Sequence, residues 1–217
     1  MGLVLGIDEA GKGPVIGSMF VAGVVIRENR IQALRKLGVK NSKLLTKHMR
    51  NIMFNLVKTY AEKIYVREVK PEIIDKTNIN NILLGEFLNI IRDALEEFNG
   101  KIKLVIIDLP SISPNKVKQA IMLLGFRGNI VVEHFADKKY VAVSAASIVA
   151  KTYREKHIGE LKKIYGDFGS GYPSDVKTVS WIKDFYRKEG YLPPIVRKSW
   201  KTIREIAPTE YVEKKKR

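Results

Sequence analysis

The chain contains 217 residues, among them 39 Lys and Arg, 23 Asp and Glu, and no cysteine. This composition excludes disulfide bonds, thiolate metal sites and cysteine nucleophiles, and 45% hydrophobic residues exclude a chain that is disordered throughout. The formal net charge of +16 favours a polyanionic partner such as nucleic acid, although a generally cationic surface would give the same count.

Five short apolar segments predict β-strands. In chain order they are residues 3–8, 18–26, 63–70, 102–107 and 129–132. Near-continuous apolar runs such as IKLVII at residues 102–107 suit strands that are buried on both faces. The longest early run is far below the roughly 20 residues of a membrane span, and residues 1–7 are too short for a signal peptide. We therefore expect a cytoplasmic protein without membrane association.

Helical spacing of apolar residues is found between and after these strands. The predicted helices are residues 46–61, 79–98, 115–124, 141–165, 175–188 and 200–206. The first half of residues 141–165, VAVSAASIVA, contains small side chains that permit close packing. This order predicts a mixed five-stranded α/β sheet flanked by helices. We expect a catalytic domain at residues 1–165, followed by a C-terminal helical subdomain and basic tail at residues 166–217.

The stretch GIDEAGKGPVIG, residues 6–17, has two possible interpretations. Its G-x-x-x-x-G-K pattern matches the start of a P-loop, but a P-loop needs Ser or Thr after its Lys and a helix directly afterwards. Here Gly13 follows Lys12, and the next segment predicts a strand. Two carboxylates inside the loop would also repel phosphate. A metal site that includes these carboxylates is the favoured alternative.

Four acidic residues stand where such a site needs them. Asp8 and Glu9 would face opposite sides of a regular strand, so they converge only if the strand ends there and the glycine-rich segment turns. Asp108 follows a strand at the edge where open α/β sheets bind ligands, and Asp137 follows the last strand. Taken singly, each also fits an ordinary exposed turn, a turn cap or a helix N-cap.

Together the four acids predict an oxygen-only metal site, which suits Mg²⁺ or Mn²⁺ rather than zinc. Four like charges at one point imply bound cations or raised carboxylate pKa values. Two divalent ions would compensate the charge, and two-metal sites cleave phosphodiesters. In a strongly basic protein, this chemistry indicates cleavage of nucleic acid.

The stretch at residues 6–17, together with EHFADKKYVAVSAASIVAKTYRE and GSGYPSD, resembles type 2 ribonuclease H, ribonuclease HII, in its archaeal form. The similarity runs from Gly6 to about Thr202 and includes NSKLLT and VRKSWKT. It implies a ribonuclease H-like fold and endonucleolytic cleavage of RNA paired to DNA, including single ribonucleotides embedded in duplex DNA, giving 3'-hydroxyl and 5'-phosphate ends. The acidic tetrad of the family would fall on Asp8, Glu9, Asp108 and Asp137.

The resemblance also implies residues that bind the substrate. The family's glycine-arginine-glycine turn, whose backbone reads the ribose 2'-hydroxyl, appears as Gly11-Lys12-Gly13; a main-chain role survives this change, although Lys cannot copy a planar bidentate phosphate contact. The tyrosine that stacks at the RNA-DNA junction would be Tyr172, which without the family would be a half-buried loop residue.

Two lysines complete the implied nucleic-acid-binding residues. The family's aspartate-serine-lysine element appears as Asn41-Ser42-Lys43, so its acid is missing, but Lys43 could still reach a phosphate or else be simply solvated. Lys151 lies in a matching motif. If one unbroken helix ran from Asp137, Lys151 would be about 21 Å away along its axis, and would contact distal phosphate or brace the structure.

Other candidates stay open from the sequence alone. Ribonuclease HIII is disfavoured because it carries an additional N-terminal substrate-binding domain, whereas the acidic motif begins at residue 6. A DNA-junction nuclease on the same fold and a non-catalytic nucleic-acid binder remain alternatives. His134 would touch the metal or pack at a strand end, and His48 and His157 are expected on helix surfaces. We expect a monomer.

Overall fold

A computed structural model describes residues 2–39, 46–109 and 112–214. The strands in these ranges are β1 (Leu3–Ala10), β2 (Met19–Arg27), β3 (Lys63–Val69), β4 (Ile102–Asp108) and β5 (Asn129–Glu133). The helices are α1 (Glu28–Lys36), α2 (Lys47–Tyr60), α3 (Pro71–Ile74), α4 (Ile79–Phe98), α5 (Pro114–Leu123), α6 (Ala136–Lys139), α7 (Val141–Tyr165), α8 (Val176–Glu189) and α9 (Lys201–Ile206). A short 3₁₀ helix is formed by Pro208–Glu210.

The five strands form one mixed sheet in the order β3-β2-β1-β4-β5. β1 is antiparallel to β2 and parallel to β4, and β4 is parallel to β5. The apolar run of β2 is buried along all but its last residue, as expected of a strand inside a sheet. The predicted mixed five-stranded sheet flanked by helices is confirmed.

Local signals explain where several helices begin. Thr46 accepts a hydrogen bond from the Met49 amide at the start of α2, and Asp175 accepts one from the Lys177 amide at the start of α8. Both residues are the first positions of helices predicted from the sequence. Gly190 ends α8 in the left-handed conformation.

Among the described residues, the apolar spacing did not predict three α-helices and the 3₁₀ helix. α1 buries only Leu34 completely, so its apolar periodicity is weak. Its charges were the available signal, because Glu28 lies in the first turn and Arg35 and Lys36 lie in the last, as the helix dipole favours. α3 and α6 are single turns, too short for a periodic pattern to show.

The described residues pack into two compact units that interleave along the chain. The first unit is formed by Met1–Ala10, Phe20–Arg67 and Leu83–Thr152, and the second by Gly11–Met19, Glu68–Ile82 and Tyr153–Arg217. The division into residues 1–165 and 166–217 remains a prediction.

Each unit has its own apolar core. In the first unit, buried side chains of β1, β2 and β4 pack with those of α2 and with the small residues of α7. In the second unit, the core is built by Val15, Ile16, Phe168, Ile182 and Ile203 with their neighbours. In the parts of the chain that the structure describes, no helix combines the length and apolar character needed to cross a bilayer.

Candidate functional site

Parallel pairing of β1 and β4 brings two of the predicted acids to one edge of the sheet. Ile7 pairs with Ile107, so Asp8 and Asp108 come next on neighbouring strands at the same end. β4 is in turn paired with β5, where Asp108 lies opposite Glu133. The carboxylates therefore meet because the strand ends are in register, although 100 residues separate them in sequence.

A sharp turn after β5 adds the third acid. Phe135 adopts the left-handed conformation with φ of 59°, which is uncommon for a residue with a side chain, and α6 starts directly after it. The Ala136 amide donates a hydrogen bond of 3.3 Å to Oδ1 of Asp108. Asp137 lies in the first turn of α6 and is 1% exposed. The turn thus directs Asp137 back toward the end of β4.

The carboxylates of Asp8, Asp108 and Asp137 form a compact cluster. One oxygen from each lies within 4.8 Å of the others. Glu9 is not one of this group among the described residues, but it lines the same pocket of about 230 Å³ as Asp8 and Asp108. The expected end of the strand at Asp8 was wrong, because β1 continues to Ala10 in register with β2. Side chains alternate along a strand, which accounts for Glu9 not being one of the three clustered carboxylates although it lies close enough to raise the pKa of Asp8.

Burial and like charge act together on Asp8. The side chain is 6% exposed, and burial is the main cause that raises its pKa well above the ordinary value. Repulsion from Glu9 and Asp108 raises this pKa further, whereas hydrogen bonds from the Ser147 hydroxyl and the Glu9 amide oppose the shift. A bound cation would relieve this repulsion.

The small residues of α7 allow β1 and the helix to approach closely. A methyl group added at Gly6 would lie 2.2 Å from the carbonyl carbon of Ala142, so only glycine fits there. Ser147 is five residues further along the helix than Ala142, and its hydroxyl donates a hydrogen bond to Asp8. Lys151 is four residues further, on the same helix face, and lines the acidic pocket.

Lys151 thus lies beside the acids, whereas an unbroken helix from Asp137 would have placed it about 21 Å away along the axis. α6 ends at Lys139, Tyr140 is extended, and α7 begins at Val141. The break turns the chain, so that a residue in the third turn of α7 lies beside the acids. Lys151 therefore supplies positive charge at the pocket.

The donor set of the cluster fits a hard divalent cation. All three clustered ligand groups are carboxylates, which Mg²⁺ and Mn²⁺ prefer, and two of them are buried. His134 is exposed and lines the pocket, but among the described residues it is not one of the side chains that cluster closely enough to hold a metal ion. A cation would offset the repulsion from Glu9 and Asp108, which adds to burial in raising the pKa of Asp8.

The predicted glycine turn belongs to the second unit. Gly11 has φ of 88°, a conformation that favours glycine. The Lys12 ammonium donates a hydrogen bond of 3.0 Å to the side-chain carbonyl of Asn80. Gly13 lies beside Tyr172, since a methyl group added at Gly13 would be 3.6 Å from Cε1 of the ring. The structure thus brings the turn and the predicted stacking tyrosine together within this unit.

Tyr172 is 39% exposed, and its ring makes a cation–π contact with Arg154. The Arg154 guanidinium carbon lies 5.2 Å from the ring centroid, and Nη2 of Arg154 donates to the Ser170 carbonyl at 3.3 Å. Burial lowers the pKa of Arg154. Arg154 was not among the predicted site residues, although it lies in the KTYRE segment of a motif.

Arg197, a second arginine that was not among the predicted site residues, is fully buried in this unit. Its guanidinium donates to main-chain carbonyls of the glycine-rich segment, including Gly11 and Lys12. Burial lowers the pKa of Arg197 to about 9, so it stays a cation at neutral pH. The available signal was its place in the VRKSWKT motif.

The remaining predicted residues have different outcomes. Lys43 lies outside the described residues. His48 is exposed on α2, as expected. His157 was expected on a helix surface, but it is only 20% exposed and its Nε2 accepts a hydrogen bond from the Ser18 amide at 3.3 Å. Burial lowers the pKa of His157.

Comparison with known proteins agrees with this geometry. The family model of ribonuclease HII matches residues 5–203. The ribonuclease HII of Sulfurisphaera tokodaii is 44% identical over 213 residues, covering 98% of this chain and 99% of that protein. The crystal structure of the ribonuclease H2 from Pyrococcus horikoshii OT3 has a TM-score of 0.88 at 37% identity, covering 96% of this chain and 98% of that one. The PCNA:RNase HII complex from Archaeoglobus fulgidus gives a TM-score of 0.82 at 38% identity, covering 94% and 96%.

The mixed sheet and the carboxylate cluster at its edge define a metal-dependent nuclease with a ribonuclease H-like fold. More narrowly, the chain belongs to the ribonuclease HII family, whose members are endoribonucleases that act on RNA/DNA hybrids. The resemblance seen in the sequence motifs is confirmed over nearly the whole chain.

Proposed function

We propose that the chain cuts both RNA/DNA hybrids and duplex DNA that contains single ribonucleotides, leaving 3'-hydroxyl and 5'-phosphate ends. The observation that carries this proposal is the cluster of Asp8, Asp108 and Asp137 at the ends of β1 and β4 and the start of α6. Glu9, in the same pocket, completes the proposed catalytic set.

The four acids are assigned to bind metal as well as to support hydrolysis. With substrate bound, two Mg²⁺ or Mn²⁺ ions would activate a water molecule and stabilise the leaving oxygen of the phosphodiester. Asp8 and Asp137 are buried, so their positions are fixed by packing, and the Ser147 hydroxyl orients the Asp8 carboxylate. This prior ordering reduces the loss of side-chain freedom on metal binding.

Lys151 is assigned to phosphate binding near the acids. Its ammonium would offset part of the repulsion between the carboxylates and the negatively charged strand. Lys43 is proposed for a phosphate contact on the basis of its motif alone. A cytoplasmic location and a monomeric state remain predictions.

Recognition of RNA is assigned to the second unit. Main-chain groups of the Gly11-Lys12-Gly13 turn would contact the ribose 2'-hydroxyl, and the Tyr172 ring would stack on the nucleotide at the junction. The closeness of Gly13 and Tyr172 supports a joint role, because both would meet the same nucleotide. Only RNA carries the 2'-hydroxyl, so this pair would select the ribonucleotide.

The decisive experiment uses a DNA duplex with one ribonucleotide, and the same duplex made entirely of DNA as the control. With Mg²⁺ or Mn²⁺ we expect a single cut beside the ribonucleotide and none in the all-DNA duplex. Asp108→Asn should remove cleavage while folding and binding persist. Asp184→Asn is the matched control, since Asp184 is an exposed acid on α8 with 70% of its side chain accessible.

Each contrary outcome points to a specific alternative. Equal cutting of both duplexes would indicate a nuclease that ignores the sugar, such as a DNA-junction nuclease. Binding by folded protein without any metal-dependent cut would indicate a non-catalytic binder. Wild-type turnover by Asp108→Asn would remove that residue from the site.

A further inference from the structure

Arg197 occupies an unusual place for a charged side chain, because it is 0% exposed within the second unit. Each of its three guanidinium nitrogens donates to a main-chain carbonyl. Nη2 donates to Gly11 at 2.6 Å, Nη1 donates to Lys12 at 3.0 Å, and Nε donates to Gly17 at 2.8 Å. The planar guanidinium thus joins both ends of the glycine-rich segment.

Trp200 holds the next carbonyl of the glycine-rich segment, that of Gly13. The Arg197 guanidinium carbon lies 5.0 Å from the Trp200 ring centroid, and Nε1 of Trp200 donates to the Gly13 carbonyl at 3.0 Å. Three successive carbonyls, those of Gly11, Lys12 and Gly13, are therefore held by one arginine-tryptophan pair.

The fixed carbonyls determine where the amides point. In a planar trans peptide, the C=O and the following N–H point in opposite directions. Because the carbonyls of Gly11 and Lys12 point to Arg197, the amides of Lys12 and Gly13 point away from it. The next peptide leads into Pro14 and offers no N–H. The N–H groups of two neighbouring residues therefore lie on the side of the turn opposite the guanidinium, an arrangement that suits an oxygen ligand.

Only arginine can make this set of contacts. A lysine ammonium is a point charge that cannot reach three carbonyls along one plane, and a neutral side chain would leave buried carbonyls without donors. Arg197 also follows Val196, which forms a β-bridge with Ile16, so its backbone is anchored beside the segment that it holds.

We propose that Arg197, supported by Trp200, is a positioning residue that holds the turn so that the Lys12 and Gly13 amides meet the sugar of a ribonucleotide. This inference rests on the proposed function, which assigns ribose recognition to the turn. Arg197 acts through the turn and does not touch the substrate. Its loss should therefore reduce the discrimination between ribose and deoxyribose and leave metal binding intact.

The test compares Arg197→Lys and Trp200→Phe with wild-type protein, using Arg187→Lys as the matched control on the exposed face of α8. Folding is checked by thermal unfolding, and Mn²⁺ affinity is titrated for each protein. Binding of the ribonucleotide-containing duplex and of the all-DNA duplex is measured in EDTA, where no cleavage occurs. Cleavage is then followed as kcat and KM with Mn²⁺.

We expect Arg197→Lys to lower kcat/KM for the ribonucleotide substrate about tenfold or more, since hydrogen bonds from a charged donor are lost. The ratio of the two duplex affinities should fall toward one, while Mn²⁺ affinity stays unchanged. Trp200→Phe should give a smaller change in the same direction. In Arg197→Ala, added guanidinium should restore part of the discrimination, and equal ionic strength from potassium chloride should not.

The results separate this inference from the proposed function. If wild-type protein shows no ribonucleotide-dependent cleavage, the proposed function fails first. If it does cleave and a folded Arg197→Lys keeps the wild-type affinity ratio, the positioning role is refuted. If Arg197→Lys does not fold, Trp200→Phe provides the test. A wild-type affinity ratio in Trp200→Phe would refute the positioning role, and a reduced ratio would support it.

Discussion

Replacing Asp8 by Asn should stabilise the metal-free protein while removing its activity. Asp8 is buried, and one of its carboxylate oxygens lies within 4.8 Å of a carboxylate oxygen of Asp108 and of Asp137. At an effective dielectric constant of about 20, two unit charges 4.8 Å apart repel by about 3.5 kcal/mol. Burial, the main cause of the raised pKa of Asp8, disfavours the same negative charge. We therefore expect a net gain of about 1 to 3 kcal/mol near neutral pH in the metal-free variant.

The sign of the pH dependence is set by the direction of that pKa shift. A native pKa above the unfolded value means that the folded protein holds protons which the unfolded chain releases. Metal-free wild-type protein should thus lose stability as the pH rises from the ordinary value of 3.8 through the raised pKa of Asp8. The gain in stability of Asp8→Asn over wild type should be smallest near pH 3.8 and largest at mildly alkaline pH.

Thermal unfolding in EDTA measures this difference directly. For a chain of this size, each kcal/mol changes Tm by about 2 to 4 °C, so Asp8→Asn should melt several degrees above wild type at about pH 8. Added Mn²⁺ should raise the Tm of wild type and have little effect on the variant, because a ligand stabilises only a protein that binds it. A lower Tm for Asp8→Asn in EDTA, or an equal gain at all pH values, would refute the argument from charge repulsion.

Three further changes test other parts of the structure. Gly6→Ala should destabilise the protein by about 3 kcal/mol, because the new methyl group would lie 2.2 Å from the Ala142 backbone; an unchanged denaturation midpoint would contradict this contact. Tyr172→Ala should weaken cleavage at ribonucleotide junctions by on the order of 1 to 3 kcal/mol through lost stacking, with Tyr172→Phe close to wild type in kcat/KM. Hydrogen bonds from the Ser170 amide and hydroxyl hold the pKa of Asp175 at about 2, so its stabilising effect is present above its ordinary value of 3.8 and disappears as the pH falls through about 2. Asp175→Asn should accordingly lower Tm at neutral pH and approach wild type in acid, and parallel pH profiles would reject that role.

Local patterns were enough to predict the elements that carry the acids. Apolar runs of strand length end at Asp8 and Asp108, and turn residues separate each run from the next predicted element. The motifs around these acids were also specific enough to indicate the family. These features depend on neighbours in sequence, so no knowledge of tertiary contacts was needed.

Other parts of the site depended on contacts distant in sequence. β1 continues to Ala10 because β2 offers it hydrogen-bonding partners, and Glu9 on this extended strand is not one of the three clustered carboxylates. Lys151 lies by the acids because the chain breaks at Tyr140 before α7 begins. The strand extension has no strong local signal. The start of α7 agrees with the predicted helix 141–165, but the direction that α7 takes after the short α6 depends on tertiary packing.

The sequence by itself determined the order of the strands and of six helices, the positions of the acids and the family, because apolar periodicity and motif spacing are local properties. Only the tertiary structure decided which carboxylates converge and that Lys151 lies beside them. It also decided that Arg197 is buried: a charged side chain is normally exposed, and its burial is stable here because three carbonyls far away in sequence accept its hydrogen bonds.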